Sequence, residues 1–438
     1  MEIAVKRFLQ LISTHHTVVH TNRPPRESAD THVSRSDLRL STSYTPLTVT
    51  TGSYRDINFL NVKLSCTREN LYQGLAITSH ISGKNANLPI LNNVLLRADV
   101  GGIKLTATNL ELTITCTIRG KVDQPGEYTL PSKLFADYVA LLPNERVDLD
   151  LLDHAVSIVC EKTKTKINGI PANEFPLIPP VTGGVRFVVP AAALDAALGQ
   201  VLFAVATNEA RQALTGVFMH FDGLNKQLIL AATDSYRLGE KTIALGETAE
   251  GERKAIVPSR TLGELRRILS VLRDSVENPE NIDVELTDSQ IVFRYGTVEL
   301  SSRTVEGVYP DYRQIIPKTS ATEITIDKTA FSQAIRRTSL FSKAGLFDVR
   351  LEANPAENTV TLSAADVGRG ENTVTVEGEM IGSVNSAVLN FRYLLDGVNA
   401  MTSEKIVLKF IDAMQPCVVT PYNLPDEKYL YIVMPIRQ

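Results

Sequence analysis

The sequence predicts an α+β protein built from one small unit copied six times. One short phrase recurs: an alternating strand, a stop at Pro, Asp, Asn or Thr, then an amphipathic helix. The helix starts fall at residues 67, 131, 190, 258, 327 and 390, in steps of 64, 59, 68, 69 and 63. Self-similarity at a nearly constant period marks a repeat architecture. Alternating strands then follow each helix, which favours antiparallel sheets with one buried face and a helix packed on it, a two-layer unit rather than a solenoid.

The first unit opens with Lys63-Leu64-Ser65-Cys66 and a helix from Thr67. Val94–Ala98 and Ile103–Ala107 follow as strands around a Gly101-Gly102 turn. In the second, Glu127–Leu130 leads into a helix from Pro131 whose apolar stripe is Leu134, Tyr138, Leu141 and Leu142, and Val147–Leu151 alternates after it. The third runs from Val185–Val189 into Pro190, with Leu194, Leu198, Val201, Leu202 and Val205 at helical spacing. The fourth runs from Lys254–Val257 into Pro258, with Leu262, Leu265, Leu269 and Leu272 on one face, then Ile282–Leu286 and Ile291–Arg294 as strands. Glu323–Ile326 precedes Asp327, and Ala387–Leu389 precedes Asn390. The three prolines suit a first helical turn, where a missing N–H costs nothing. Asp327 and Asn390 suit N-caps, whose side-chain oxygens accept orphan amides.

At 438 residues, with 43% hydrophobic and 21% charged residues, the chain is long enough for two to four globular domains. No run reaches the roughly 18 apolar residues of a membrane helix. The four cysteines, Cys66, Cys116, Cys160 and Cys417, form no C-x-x-C pair and read as small buried hydrophobes of a reducing, cytoplasmic compartment. Residues 1–61 stand outside the repeat. They carry His15, His16, His20 and His32 and a Ser/Thr-rich stretch, and read as a disordered extension. A targeting segment and a start misplaced ahead of Val62 are the alternatives.

Catalytic patterns are missing. There is no phosphate loop, H-E-x-x-H or G-x-S-x-G, and Gly368-Arg369-Gly370 reads as a hairpin turn. Asp148 and Asp150 alternate onto a solvent face, which favours surface carboxylates over a two-metal cluster. His80, His154 and His220 have no nucleophile partner in the pattern. This points to a non-catalytic protein with no cofactor and no metal. The helices carry cations instead: Arg68, Lys133, Arg260, the pair Arg266-Arg267, the pair Arg336-Arg337 and Arg392. With a net charge of −4 the chain is no bulk polycation, but basic residues gathered on one set of helices make a local positive field.

Four stretches then carry a family resemblance: Leu88–Leu96 (LPILNNVLL), Ala232–Leu238 (ATDSYRL), Tyr309–Arg313 (YPDYR) and Val433–Arg437 (VMPIR). In order and spacing they resemble the bacterial sliding clamps, the β subunit of DNA polymerase III, over residues 62–438. The resemblance implies three similar domains, 62–184, 185–321 and 322–438, each of two β-α-β-β-β units. It implies sheets on the rim and helices lining a central hole, in a head-to-tail homodimer that encircles double-stranded DNA without reading its sequence. The implied role is a processivity factor, an accessory subunit of a DNA-directed DNA polymerase. It would tether the replicative polymerase, the clamp loader, and repair polymerases and ligase-type proteins through short linear motifs. The alternative is a divergent module of the same fold that does not encircle DNA.

The resemblance also implies sites. The partner-peptide pocket would use Leu214, Thr233, Ser235, Tyr236, Arg237 and Leu238, then Pro310, Gln314 and Ile315, then Asn390, Tyr393, Val433, Met434, Pro435, Ile436 and Arg437. DNA would meet Lys84, Asn85, Asn208, Arg266, Arg267, Arg336 and Arg337. The dimer interface would join Lys164 and Ile167 to Leu340 and Phe341. The chain departs from the family at Ser235, where glycine is common, at Gln314, where the family often has a base or similar long polar group, and at Gln438, where the last residue is often apolar.

Overall fold

In a computed structural model, residues 62–81, 88–247, 251–273 and 279–437 are described. The expectations for residues 1–61, Lys84 and Asn85 lie outside these residues. Among the described residues there are six α-helices: α1 (Arg68–Thr78), α2 (Ser132–Ala140), α3 (Ala191–Val201), α4 (Ser259–Leu272), α5 (Lys328–Ser339) and α6 (Phe391–Ala400). Each follows one strand and precedes three, so the β-α-β-β-β unit occurs six times, with Lys121–Gln124 and Ile170–Pro171 as two short additional strands in the first two units.

The helix starts carry their sequence signals. Thr67, Asp327 and Asn390 accept hydrogen bonds from the amides of Asn70, Ala330 and Tyr393. Pro131, Pro190 and Pro258 differ from expectation: they sit at the N-cap, one residue before the helix, and make no side-chain cap. In α4 all four predicted leucines are buried. In α2 the predicted stripe holds in part: Leu142 is buried and Tyr138 packs against the core, but Leu134 and Leu141 do not. Phe135 and Val139 face the core, whereas Leu134 is 55% exposed and Leu141 86%. In α3 the helix stops at Val201, and Leu202 opens a 3-10 turn.

Units are paired by exchange of their first strands. Lys63–Thr67 pairs with Arg146–Leu152 of the second unit, and Gly126–Pro131 with Asn93–Asp99 of the first. The same exchange joins Val185–Pro190 to Asn281–Leu286 and Glu252–Pro258 to Gly216–Asp222. It recurs between Thr322–Asp327 and Lys405–Phe410, and between Asn385–Asn390 and Asp348–Asn354. Three double units result.

Sheets continue from one double unit to the next. Leu112–Ile118 pairs with Val298–Arg303, and Arg237–Ala244 pairs with Tyr429–Val433, both antiparallel. The helices pack in the row α2-α1-α4-α3-α6-α5. Among the described residues, the strand edges left free include one in the first double unit and one in the third. Thr163–Asn168 pairs only with Ala155–Cys160, and residues 370–377 pair only with Thr359–Asp366.

Candidate functional site

Three of the predicted pocket segments, 233–238, 390–393 and 433–437, converge where the second double unit meets the third. The turn before Arg237–Ala244 is held by Asp234, whose carboxylate accepts the amides of Tyr236 (2.9 Å) and Arg237 (3.1 Å). Thr233 Oγ1 donates to the Arg237 carbonyl at 2.6 Å and accepts the Ser235 amide. Ser235 adopts φ 80°, the left-handed region that favours glycine, and its hydroxyl accepts Arg211 Nη1 at 2.8 Å. This turn presents Tyr236, 41% exposed, over the Tyr393 ring at 6.5 Å.

The C-terminal segment crosses beside it. The Met434 amide donates to the Tyr236 carbonyl at 2.8 Å, and the Ile436 amide to the Val388 carbonyl at 2.7 Å. The strap therefore spans two double units. Beneath it lies a cavity of about 280 Å³ lined by Tyr236, Asn390, Tyr393, Met434, Pro435, Ile436 and Arg437, together with Gly345, Leu346 and Met414. Leu346 and Met414 were not legible in the sequence, being single apolar residues in loops, but both are about half exposed. Arg437 is the single charged residue in this lining. The surface is apolar, edged by Tyr and Asn groups, and suits an extended peptide with apolar anchors.

The other predicted pocket residues do not line that cavity. Leu214, Leu238 and Val433 are 2%, 0% and 0% exposed. Leu214 and Leu238 pack with Tyr309, Tyr312 and Ile432, and Ile315 covers their cluster. Pro310 borders a separate cavity of about 700 Å³ lined by the second double unit, where Phe218 stacks on Tyr309 at 5.2 Å. Gln314 is exposed and donates to Asp311 at 2.9 Å. Arg237 is turned inward: it meets Asp234 at 2.9 Å and Asp396 of α6 at 2.5 Å, and lies 4.5 Å from the Tyr393 ring centre. Burial pushes the Asp234 carboxyl above the usual carboxylate range, even with that guanidinium beside it. Arg237 therefore clasps the joint behind the pocket wall.

The predicted DNA-facing cations divide. Arg336 and Arg337 are exposed, and their guanidinium groups make no ion pair among the described residues. Arg266 contacts Asp195 at 2.9 Å and stays 41% exposed. Arg267 differs from expectation. Its guanidinium meets Glu264 and donates to the Ala76 and Ile77 carbonyls at 2.7 and 2.5 Å, so it fastens α4 to the end of α1. Asn208 is exposed, and its Oδ1 accepts the Ala210 amide at 2.9 Å.

Of the predicted interface residues, Lys164 is exposed on the free edge Thr163–Asn168, Leu340 is 67% exposed and Phe341 half-buried. Ile167 is 5% exposed and belongs to the protomer core, because its side of the edge strand faces inward. The outward side carries Lys164 and Lys166; that of the other free edge carries Glu371 and Glu377. None of these four side chains forms an ion pair within the described residues.

No group of three His, Cys, Asp or Glu is arranged to hold a metal ion among the described residues. All four cysteines are buried, and burial pushes the Cys66 and Cys116 thiols up to about 12, where they are poor nucleophiles.

Comparison with known proteins gives a consistent picture. Family models described as the N-terminal, central and C-terminal domains of the DNA polymerase III beta subunit match residues 62–179, 188–311 and 313–437. A beta sliding clamp of Synechocystis sp. is 32% identical over 400 residues, covering 86% of this chain and 99% of the relative. That of Synechococcus elongatus is 34% identical over 384 residues, with the same coverage. Among solved structures, the Bacillus subtilis sliding clamp superposes with a TM-score of 0.80 at 26% identity. The Bartonella birtlesii clamp, solved bound to griselimycin, gives 0.80 at 28%. Each covers 86% of this chain and 100% of the relative.

Proposed function

The chain belongs to the DNA polymerase III beta-subunit family of sliding clamps, and from that premise we infer how its surfaces divide the work. It is a non-catalytic processivity subunit of the DNA polymerase III holoenzyme, acting with DNA and polymerase as a homodimer. The division of residues 62–184, 185–321 and 322–438 into three clamp domains is part of the proposal, supported by the three exchanged-strand pairs.

The helix row would face DNA. Arg336 and the exposed part of Arg266 would attract phosphates without reading bases. Ring topology makes strong contacts unnecessary, so the clamp can slide. Closure would join the two free strand edges of different copies, with Lys164 and Lys166 on one meeting Glu371 and Glu377 on the other. This is a head-to-tail contact that closes after two copies. Leu340 and Phe341 would add apolar contact beside it.

The cavity under the C-terminal strap would receive short linear motifs of the polymerase, the clamp loader, and repair polymerases and ligase-type proteins. The observation that carries this is the convergence of Tyr236, Tyr393 and Met434–Arg437 on one apolar cavity. The griselimycin-bound relative adds that this fold offers a ligand site. Leu214, Leu238 and Val433 would shape the floor from below. A cytoplasmic location fits the family, and no helix among the described residues is long and apolar enough to cross a membrane.

The test is retention on DNA. Loaded protein should stay on nicked circular DNA and run off the same DNA once linearised. Equal loss from both forms would mean that the chain does not encircle DNA.

A further inference from the structure

We propose that Arg337 reaches across the subunit boundary and caps the C-terminal end of α2 in a second copy of this chain. The proposal rests on the homodimer reading and names a contact within it.

The two joints inside the chain show the device. Where α1 meets α4, Arg267 of α4 donates to the Ala76 and Ile77 carbonyls at the end of α1. Where α3 meets α6, Gln200 of α3 donates to the Ala400 carbonyl at the end of α6 at 3.1 Å. A helix C-terminus has unpaired carbonyls and the negative end of the helix dipole, so a long donor from the neighbouring helix satisfies both. Among the described residues, the row α2-α1-α4-α3-α6-α5 leaves α2 and α5 without a second packed helix on their outer sides. Continuing the row into a second copy sets α5 against the partner subunit's α2.

Helix register selects the residue. The first residues of α1 and α5 correspond in the repeat and act alike. Arg68 donates to the Val139 and Ala140 carbonyls of α2, and Lys328 to the Met401 carbonyl at the end of α6. Counting from these starts, the tenth residue of the first helix in each domain is Ile77, Gln200 and Arg337. Ile77 and Gln200 are 0% and 5% exposed. Arg337 is exposed, and its side chain makes no hydrogen bond or ion pair among the described residues.

The receiving end matches. α6 is capped twice, by Lys328 from its own domain and by Gln200 from the neighbouring one. α2 is its counterpart, and among the described residues Arg68 is the one side chain that donates to its last carbonyls. It also exposes Leu134 and Leu141, and α5 is followed by exposed Leu340. These are apolar surfaces at the two places where the contact would cover them. In α2 the ninth position, which corresponds to Arg267 in α4, is Ala140. The donor therefore has to come from α5.

The test is the dimer dissociation constant of the full chain, measured without DNA by sedimentation across a concentration series. Arg337→Ala should weaken the dimer by about a hundredfold or more, because a ring of two copies loses one charge-assisted hydrogen bond at each of its two interfaces. Arg337→Gln reproduces the donor of Gln200 and should restore most of the affinity. Arg336→Ala should leave the dimer unchanged. Thermal melts of the isolated protomer should agree for all variants, since neither side chain is buried. A wild-type dimer with an unchanged Arg337→Ala would overturn the contact and leave the ring reading standing. A wild-type monomer at micromolar concentration would overturn both.

Discussion

Arg237 joins the peptide site to the frame of the molecule through one side chain. It is 12% exposed and faces Asp234 in its own domain and Asp396 on α6. Removing it leaves a buried carboxylate uncompensated, which typically costs about 3–5 kcal/mol. Arg237→Ala should lower the melting temperature and loosen Tyr393, and peptide binding should fall with it in calorimetry. Arg437 should behave differently. It edges the cavity, so Arg437→Ala should weaken peptide binding while stability changes by no more than about 0.5 kcal/mol, as for ordinary surface positions. Equal stability losses in the two variants would contradict this division. That Met434–Arg437 lie together at the cavity was legible from one contiguous motif, whereas Asn390 and Tyr393 were expected there only from the family resemblance. The inward turn of Arg237 was not legible, since its partner Asp396 lies 159 residues away.

At the scale of elements, the joint between α3 and α6 depends on one carboxylate. Glu427 accepts Gln200 Nε2 at 2.8 Å and the Thr402 hydroxyl, and lies 3.6 Å from Lys241. Burial opposes its charge, yet these donors and the lysine hold its carboxyl below the ordinary glutamate value of 4.5. A carboxyl depressed in the folded state stabilises fully above its unfolded value and loses that contribution as pH falls through the folded one. Unfolding free energy should therefore decline below about pH 4.5, and Glu427→Gln should flatten the decline. Chemical denaturation at pH 7, 5, 4 and 3 measures both slopes, and identical slopes would contradict the assignment. The same joint needs Gly397, because a Cβ there would enter the Tyr431 ring. Gly397→Ala should push α6 off its sheet and cost about 1–3 kcal/mol, the usual cost of overpacking.

For the whole molecule, the two free edges predict a ring whose closure depends on salt. Lys164→Glu with Lys166→Glu should raise the dimer dissociation constant, and Glu371→Lys with Glu377→Lys should restore it when the two variants are mixed. Sedimentation at two salt concentrations reads both effects, because exposed charge pairs weaken with screening. Rescue failing in the mixture would show that these edges do not meet. Retention on circular DNA should also fall as salt rises, with a shallower slope in Arg336→Glu.

The sequence by itself determined the α+β class, the six units, their helix starts and the family. Each of these is written in contiguous residues: period-2 strands, leucine spacing in α4, caps at Asp327 and Asn390, and four short motifs. Only the tertiary structure decided which strand each unit lends to its neighbour, because antiparallel pairing joins residues such as Lys63 and Asp150 that no local pattern links. It also decided which cations remain available. Arg266, Arg267, Arg336 and Arg337 look equivalent along the chain. Only packing separates Arg267, bound to the carbonyls of α1, from Arg336 and Arg337, which stay in solvent. The reason is physical: a guanidinium's role depends on which acceptors lie within about 3 Å, and the packing of distant segments sets those distances.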